Sequence, residues 1–341
     1  MLDINEKSTK PIGFTNHPIP ILSEKDDSII YEMHIRDFTI DESSGVINDL
    51  RGTYLGTVEE NTIYKNPYNG KCVKTGIEHL CELGITHVHL MPIFDFGSVD
   101  ERFPGSNNRN WGYDPKNFNV PEGSYCSNPY NPVTRILELR QMIMKFHERG
   151  IRVVMDMVYN HMMSTVNMDN IVPGYYFRSD YLGRYTNGSG CGNELASERP
   201  MVRKFIIDSC LHWIKDYKID GIRFDLMELL DIDTTKEIVK KTTKLDKNFL
   251  IYGEPWKGGS SPLVNGTYKG SQKNENFSIF NDTFRDAIRG NNHPSSGFIN
   301  GNQYSSICNW SIIEGLKGSI YTITSNPNAV SYTHLTLPTK L

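Results

Sequence analysis

The residues best suited to chemistry are two acidic side chains that end two successive apolar runs. The first run reads GIRFD and ends at Asp225. In an extended strand alternate side chains share a face, so Arg223 points the same way as Asp225. We expect the guanidinium to lower the pKa of Asp225 and to keep it ionised, as a nucleophile requires. A purely stabilising ion pair is the alternative, but desolvation offsets much of its attraction.

The second acidic residue is Glu254, in the run IYGEPW. Pro255 stops strand pairing after it, and Trp256 offers an apolar wall or a flat platform. A carboxyl group held against apolar surface has a raised pKa and can donate a proton near neutral pH. An exposed loop glutamate is the ordinary alternative. Two carboxyl groups with contrasting pKa values, facing one cleft, are the arrangement used in glycoside hydrolysis.

An earlier run, DMVYNH, adds polar groups to this pair. We expect Asp156 to organise its neighbours through hydrogen bonds, as a structural residue, rather than to react. Asn160 and His161 would lie on the loop above the strand. His161 is a candidate neutral donor to a sugar hydroxyl, and a surface or packing role is the alternative for a lone histidine.

Short apolar runs alternate with amphipathic helical patterns and would position these residues. Strands are predicted at 29–35, 86–93, 152–159, 219–226 and 249–253, and helices at 75–83, 132–149, 200–217 and 234–244. Runs that are apolar on both faces are typical of buried parallel strands. The alternation indicates an α/β protein, either a barrel or a doubly wound sheet. The sequence lacks GxGxxG and phosphate-loop motifs, which disfavours a nicotinamide-dependent oxidoreductase.

Composition limits the partners and the compartment. The 341 residues include 36 Lys and Arg against 40 Asp and Glu, for a formal charge of −4, which does not favour a nucleic-acid binder. No apolar run approaches the ~20 residues that cross a bilayer, and the first residues lack a signal-peptide pattern. Six scattered cysteines without metal-ligand spacing fit free thiols in a reducing compartment. We therefore expect a cytoplasmic protein with no membrane, nucleic-acid or zinc partner.

The same runs resemble glycoside hydrolase family 13, the α-amylase superfamily, and within it the type I pullulanases. Three conserved regions of that family are matched by DMVYNH at 156–161, GIRFDLM at 221–227 and GEPW at 253–256. The stretch YNWGYDP of type I pullulanases is matched by NWGYDP at 110–115, with Arg109 in place of its first tyrosine. Supporting runs are YEMHIRDF at 31–38, PEGSY at 121–125, GNELASERPMVRKFIIDS at 192–209 and FNDTFRDAIRG at 280–290.

The resemblance implies a (β/α)8 TIM barrel that hydrolyses α-1,6-glucosidic linkages in pullulan and branched α-glucans by a retaining double displacement. Asp225 would be the catalytic nucleophile and Glu254 the general acid/base, with their carboxyl groups ~5–5.5 Å apart. Arg223 would position Asp225. The other substrate-binding residues implied are Tyr113, stacked beneath the sugar, Trp111, Asn160, His161 and Trp256.

An α-glucan polysaccharide is the implied partner, and we expect a monomer without an organic cofactor. Many members of this superfamily bind calcium through loop oxygens, so calcium stays open. The loop at 160–199 contains Asp169 and Asp180 as candidate ligands, but no EF-hand-like spacing.

The C-terminal part of the sequence departs from the family. We expect a linker or arm at 1–28, an incomplete catalytic barrel at 29–328 and an aberrant tail at 329–341, with the native frame lost near Tyr332. The fourth conserved region, which carries a third acidic residue, should follow Pro327, yet no Asp or Glu occurs after Glu314. Strands seven and eight would then be missing or aberrant. Two alternatives stay open: an α-1,4-acting α-amylase-type hydrolase, and a non-catalytic glucan-binding remnant.

Overall fold

Parallel strands form the main sheet of the chain. The computed structural model describes residues 2–103, 110–290 and 297–316. Within these ranges the strands of the main sheet are, in spatial order, β1 (Ile30–Met33), β4 (His87–Leu90), β7 (Arg152–Met157), β8 (Gly221–Phe224), β9 (Leu250–Gly253) and β10 (Ser278–Ile279). Two antiparallel pairs stand apart, β2 (Ile63–Lys65) with β3 (Cys72–Lys74) and β5 (Phe94–Phe96) with β6 (Pro115–Pro121). The five predicted strands are confirmed, whereas β10 and both antiparallel pairs were not predicted.

Helices follow most strands of the main sheet. The described helices are α1 (Ile35–Thr39), α2 (Gly76–Glu82), α3 (Pro132–Glu148), α4 (Val166–Asp169), α5 (Pro200–Tyr217), α6 (Ile232–Thr243), α7 (Asp282–Arg289) and α8 (Ser306–Leu316). The four predicted helices are confirmed as α2, α3, α5 and α6, with bounds that shift by at most two residues. Parallel strands joined by helices fit part of a (β/α)8 fold.

Local sequence explains where the long helix α3 begins and ends. The Asn131 side chain accepts a hydrogen bond from the Val133 N–H at 3.0 Å, and Pro132 occupies the first position, where no N–H is needed. Gly150 follows the last turn with φ 77°, a conformation that favours glycine. The helix buries an apolar face that includes Ile143. Its apolar spacing therefore packs it against the sheet.

The strands next to the site are buried along their whole length. Every residue of β4, β7, β8 and β9 is buried. Strands covered on both faces read as continuous apolar runs, which is why the sequence shows little alternation here. A polar side chain on such a strand is removed from water, so Asp156 and Arg223 need partners.

The N-terminal segment 2–28 packs against the body of the chain. It contains single 3₁₀ turns at Lys7–Thr9, Phe14–Asn16 and Lys25–Asp27. Arg140 of α3 donates to the carbonyl oxygens of Ile4 and Thr9 at 3.1 and 2.9 Å. Its guanidinium lies 5.1 Å from the centre of the buried Phe14 ring. These contacts hold the predicted arm on the surface formed by α3.

Some predictions fall outside the described residues. The tail at 329–341 and the region expected after Pro327 lie beyond residue 316, and Arg109 lies in the gap at 104–109. Across the described ranges, none of the helices combines the length and apolar character needed to cross a bilayer.

Candidate active site

The carboxyl ends of β7, β8 and β9 lie side by side and bring the predicted polar residues together. Asp156 on β7 pairs in register with Arg223 on β8, and Phe224 on β8 pairs with Gly253 on β9. Asp225 is the first residue after β8, and Glu254 is the first after β9. Ligand and catalytic groups of (β/α) folds collect at this edge of the sheet.

Arg223 is the hub of the site because it contacts three carboxylates. Its Nη1 donates to Asp225 Oδ1 at 2.9 Å and to Asp156 Oδ1 at 2.8 Å, and its Nη2 is paired with Glu254 Oε1. The Arg223 side chain is only 6% exposed. One positive charge therefore faces three acidic groups away from bulk water. Such a cluster favours a proton on one of the carboxyl groups, since three ionised carboxylates would repel one another.

Glu254 is the group best suited to hold that proton. The pKa of Glu254 is raised to about 7: burial is the main cause and Asp225 adds to the rise, while Arg223 and the Leu226 N–H oppose it. The Leu226 N–H donates to Oε2 at 3.1 Å. A carboxyl group with a pKa near neutral can both release and accept a proton, as a general acid/base must.

The predicted direction of the Asp225 pKa is wrong. Burial raises the pKa of Asp225 above its ordinary value, and this outweighs the lowering by Arg223. The prediction counted a single arginine beside a single aspartate. The structure adds Asp156, whose charge also raises the pKa of Asp225 and which shares the same guanidinium. Both catalytic candidates therefore have pKa values above those of ordinary carboxyl groups.

Asp156 is the carboxylate that keeps its charge. Burial opposes ionisation, but Arg223 and a hydrogen bond from His89 outweigh it, so the pKa of Asp156 lies below its ordinary value. The Tyr113 hydroxyl donates to Asp156 Oδ2 at 2.8 Å. Asp156 thus holds a tyrosine and an arginine of the site in place, as the structural role predicted for it requires.

Asn160 is buried and contacts Asp225. Its Nδ2 donates to Asp225 Oδ2 at 2.8 Å and to the Asp225 carbonyl at 3.0 Å. Because a carboxylate accepts but does not donate, this contact orients the amide and turns its Oδ1 toward His161 Nδ1. Burial lowers the pKa of His161, which keeps the ring neutral at neutral pH. The predicted roles of both residues toward a sugar stay predictions.

Aromatic side chains surround the carboxylates. Tyr113 presents its ring 5.9 Å from the Arg223 guanidinium. Trp111 is 42% exposed and, together with Ser98, Asn110, Tyr113 and Asp114, lines a shallow depression. Trp256 stacks on Phe280, with ring centres 6.4 Å apart, and its role as an apolar wall or flat platform stays a prediction. Stacking of Tyr113 beneath a sugar stays a prediction.

Two residues of the site were missed from sequence. His89, in the middle of β4, has its Nε2 3.4 Å from Asp156 Oδ2. The run HVHL at 87–90 carried a signal, because histidine is uncommon in a strand that is buried on both faces. The backbone N–H of Leu226 donates to Glu254. Residue types alone cannot predict such a contact, because every residue except proline has a backbone N–H.

A group of carboxylates away from the site has the spacing of a cation site. Ligand oxygens of Asp95, Glu101 and Glu122 lie within 4.8 Å of one another. Oxygen ligands suit calcium. Both oxygens of Glu101, however, already accept from Arg135, at 2.8 and 2.5 Å. An ion bound there would compete with the Arg135 guanidinium for the Glu101 oxygens, so this arrangement does not favour calcium.

The loop residues considered for calcium also have protein partners. Asp169 accepts from the Tyr185 hydroxyl and from the Gly174 N–H, and Asp180 is paired with Arg184 at 2.7 Å. The structure does not bring Asp169 and Asp180 into a common group of ligands among the residues it describes.

Comparison with known proteins identifies the family. Residues 70–172 match the family model of the α-amylase catalytic domain. A pullulanase of Bacillus subtilis (strain 168) is 42% identical over 92% of this chain. The chain belongs to the α-amylase family, and the relatives that match most of it are named pullulanases. This confirms the family predicted from the motifs. This chain spans 42% of the length of that relative.

Solved structures extend the comparison. A pullulanase from Bacillus acidopullulyticus has a TM-score of 0.87 and 43% identity, covering 95% of this chain and 39% of that one. A pullulanase from Paenibacillus barengoltzii, in complex with maltohexaose and α-cyclodextrin, has a TM-score of 0.82 and 43% identity, covering 88% and 46%. A plant relative, the chloroplastic pullulanase 1 of Arabidopsis thaliana, is 33% identical, covering 88% of this chain and 35% of its own length.

Proposed function

We propose that this chain carries the catalytic carboxyl groups of a debranching glycosidase, which hydrolyses α-1,6-glucosidic linkages in pullulan and branched α-glucans. The observation that carries the proposal is the pair of carboxyl groups on one guanidinium, with Asp225 on Nη1 and Glu254 on Nη2 of Arg223. Sharing one guanidinium keeps the two groups near each other. We propose the retaining route, for which carboxyl groups ~5–5.5 Å apart are typical.

The proposed reaction has two steps that use only protein carboxyl groups and water. In the first, protonated Glu254 gives its proton to the glycosidic oxygen, the bond from that oxygen to the anomeric carbon breaks, and an Asp225 oxygen bonds to that carbon. In the second, Glu254 takes a proton from water, whose oxygen attacks the same carbon and releases Asp225. The pKa of Glu254, about 7, suits both directions of transfer.

The electrostatic setting supports the division of roles. Asp225 receives N–H groups from Arg223 and Asn160 on its two oxygens, which favours the carboxylate that attacks. Glu254, with its raised pKa, supplies the proton. The Tyr113 ring lies 5.9 Å from the Arg223 guanidinium that holds this pair, and Trp111 lines a shallow depression together with Tyr113. We infer that both rings contact the sugar rings of the bound glucan.

We infer that the six parallel strands are part of an eight-stranded barrel, on the strength of the pullulanase-like fold. The cysteines described as free are Cys72, Cys81, Cys126, Cys191, Cys210 and Cys308. Free thiols are typical of a reducing compartment, which supports a cytoplasmic protein. We propose a monomer, to be tested by light scattering.

The test is product analysis on pullulan with the chain and its Asp225→Asn variant. Release of maltotriose that is lost in the variant supports the proposal. Release of panose indicates cleavage of α-1,4 linkages and contradicts the proposed linkage. Binding of maltooligosaccharide without any release of reducing ends, unchanged in Asp225→Asn, identifies a glucan-binding remnant and contradicts catalysis.

A further inference from the structure

Leu226 has an unusual backbone conformation directly beside the two carboxyl groups. Its φ and ψ are 42° and 52°, in the left-handed region. Among the residues that the structure describes, the other non-glycine positions with positive φ are Asn61, Lys218 and Asn274. Asparagine tolerates this region because its side chain hydrogen-bonds locally, whereas leucine has no such compensation. A strained conformation at a site persists when the surrounding structure requires it.

The left-handed turn changes which acceptor the Leu226 N–H meets. The Glu254 N–H donates to the Phe224 carbonyl at 3.1 Å, as in a parallel ladder. In a continued ladder the Leu226 N–H would donate to the main-chain carbonyl of Glu254. The chain instead leaves β8 at Leu226 and enters the 3₁₀ turn Met227–Leu229. Its N–H then donates to the side-chain Oε2 of Glu254 at 3.1 Å.

Glu254 is consequently fixed on both sides of Asp225. Its backbone is bonded to Phe224, the residue before Asp225, and its carboxylate is bonded to Leu226, the residue after it. The other carboxylate oxygen is paired with Arg223. Three attachments within four consecutive residues of the β8 end leave the Glu254 side chain little freedom relative to Asp225.

We propose that Leu226 is a positioning residue for Glu254: its left-handed backbone directs an N–H to Oε2 and so sets the distance and orientation between the two catalytic carboxyl groups. The proposal deepens the proposed function and rests on it for the role of Glu254. The hydrogen bond also favours the ionised form of Glu254, so Leu226 limits how far burial raises the proton affinity of the acid/base.

The decisive experiment replaces one amide by an ester. Incorporation of the α-hydroxy analogue of leucine at position 226 removes the N–H and keeps the side chain. The same replacement at Leu229 removes an N–H of the same turn, which donates to the Leu226 carbonyl at 2.9 Å and not to Glu254. The carboxyl carbon of Glu254 is followed by carbon-13 NMR through a pH titration of each protein and assigned with Glu254→Gln.

The ester at position 226 is expected to raise the pKa of Glu254 by about one pH unit, the equivalent of one hydrogen bond to a charged group. The ester at position 229 is expected to leave it unchanged. Equal changes at both positions, or none at position 226, would overturn the proposal. The readout does not require turnover, so failure of the chain to cleave pullulan, with the shift present, would count against the proposed function and not against this one.

Leu226→Gly separates the backbone from the side chain. Glycine keeps the N–H and adopts positive φ readily, so the pKa of Glu254 should stay near the value of the unmodified chain. A shift in Leu226→Gly as large as that of the ester would show that the backbone N–H does not fix Glu254 without the leucine side chain and would overturn the proposal. In those modified proteins that cleave pullulan, the pH at which kcat/KM falls on the alkaline side should rise for the ester at 226 and stay unchanged for the ester at 229.

Discussion

Replacement of Glu254 by glutamine should stabilise the fold, and increasingly so as the pH rises. Burial raises the pKa of this carboxyl group to about 7 from an ordinary 4.5. The folded chain therefore binds the proton more tightly than the unfolded chain, and stability present below pH 4.5 is lost as the pH rises toward 7. The two values differ by an amount equivalent to about 3 kcal/mol. Because the side chain is 18% exposed, solvent screening reduces the expected effect to about 2–3 kcal/mol.

Urea unfolding of both proteins at pH 4.5 and pH 8 measures this effect. The free energy of unfolding of Glu254→Gln minus that of the wild type should be larger at pH 8 by about 2 kcal/mol. The comparison across pH removes effects that do not titrate, such as a weaker contact with Arg223. Glu237→Gln, which removes a partly exposed carboxylate from α6, is the matched control. A difference that stays constant or falls between the two pH values would refute the reasoning.

Other perturbations test the hub, the arm and the carboxylate group away from the site. Arg223→Met should lower the free energy of unfolding by about 3–5 kcal/mol, because it leaves buried carboxylates without a cation. Lys257→Met, which removes an exposed lysine paired with Glu228, is the control in thermal unfolding. Similar losses of stability in both variants would contradict the prediction. Acid should loosen the arm formed by residues 2–28. Burial lowers the pKa of His17 below 6.5, so the undocked arm binds a proton more readily and docking weakens as the pH falls below that value. Proteolysis within the arm should be faster at pH 5 than at pH 7.5, and equal rates after correction for protease activity would contradict the prediction. Dialysis against EDTA should leave the melting temperature unchanged, because Arg135 already neutralises Glu101; a clear drop that calcium reverses would contradict this.

The sequence predicted the elements and the composition of the site because those depend on local pattern. Apolar runs placed β7, β8 and β9 at the right positions, and strand alternation placed Arg223 and Asp225 on one face, where they now bond at 2.9 Å. The carboxyl ends of adjacent parallel strands meet at one edge, which is why Glu254 comes close to Asp225. Motif spacing was sufficient for this part.

The electrostatics could not be predicted because they depend on long-range neighbours. The pKa of Asp225 rises because Asp156, from another strand, and burial outweigh the arginine two residues away. Leu226 is an ordinary residue type at the end of an ordinary apolar run, so the sequence does not indicate its left-handed backbone. The pairing of β5 with β6 joins segments separated by a long loop, and no pattern in either segment specifies its partner.

Three acidic groups around one buried guanidinium are a poor way to stabilise a fold. A buried ion pair is often no better than well-packed apolar residues, and a third carboxylate adds repulsion. Because the ionised form of the buried Glu254 is unfavourable, its pKa is raised to about 7, and the group holds a proton that it can release near neutral pH. A site arranged in this way favours chemistry over stability.

Trapping of the covalent intermediate tests the central claim most directly, namely that Asp225 bonds to the sugar while Glu254 moves the proton. The chain is incubated with a fluorinated maltosyl fluoride that slows the second step, digested and analysed by mass spectrometry. We predict a glycosyl adduct on the peptide that contains Asp225, absent from Asp225→Asn. Cleavage of pullulan with no adduct on that peptide, or an adduct on another acidic residue, would contradict the assignment.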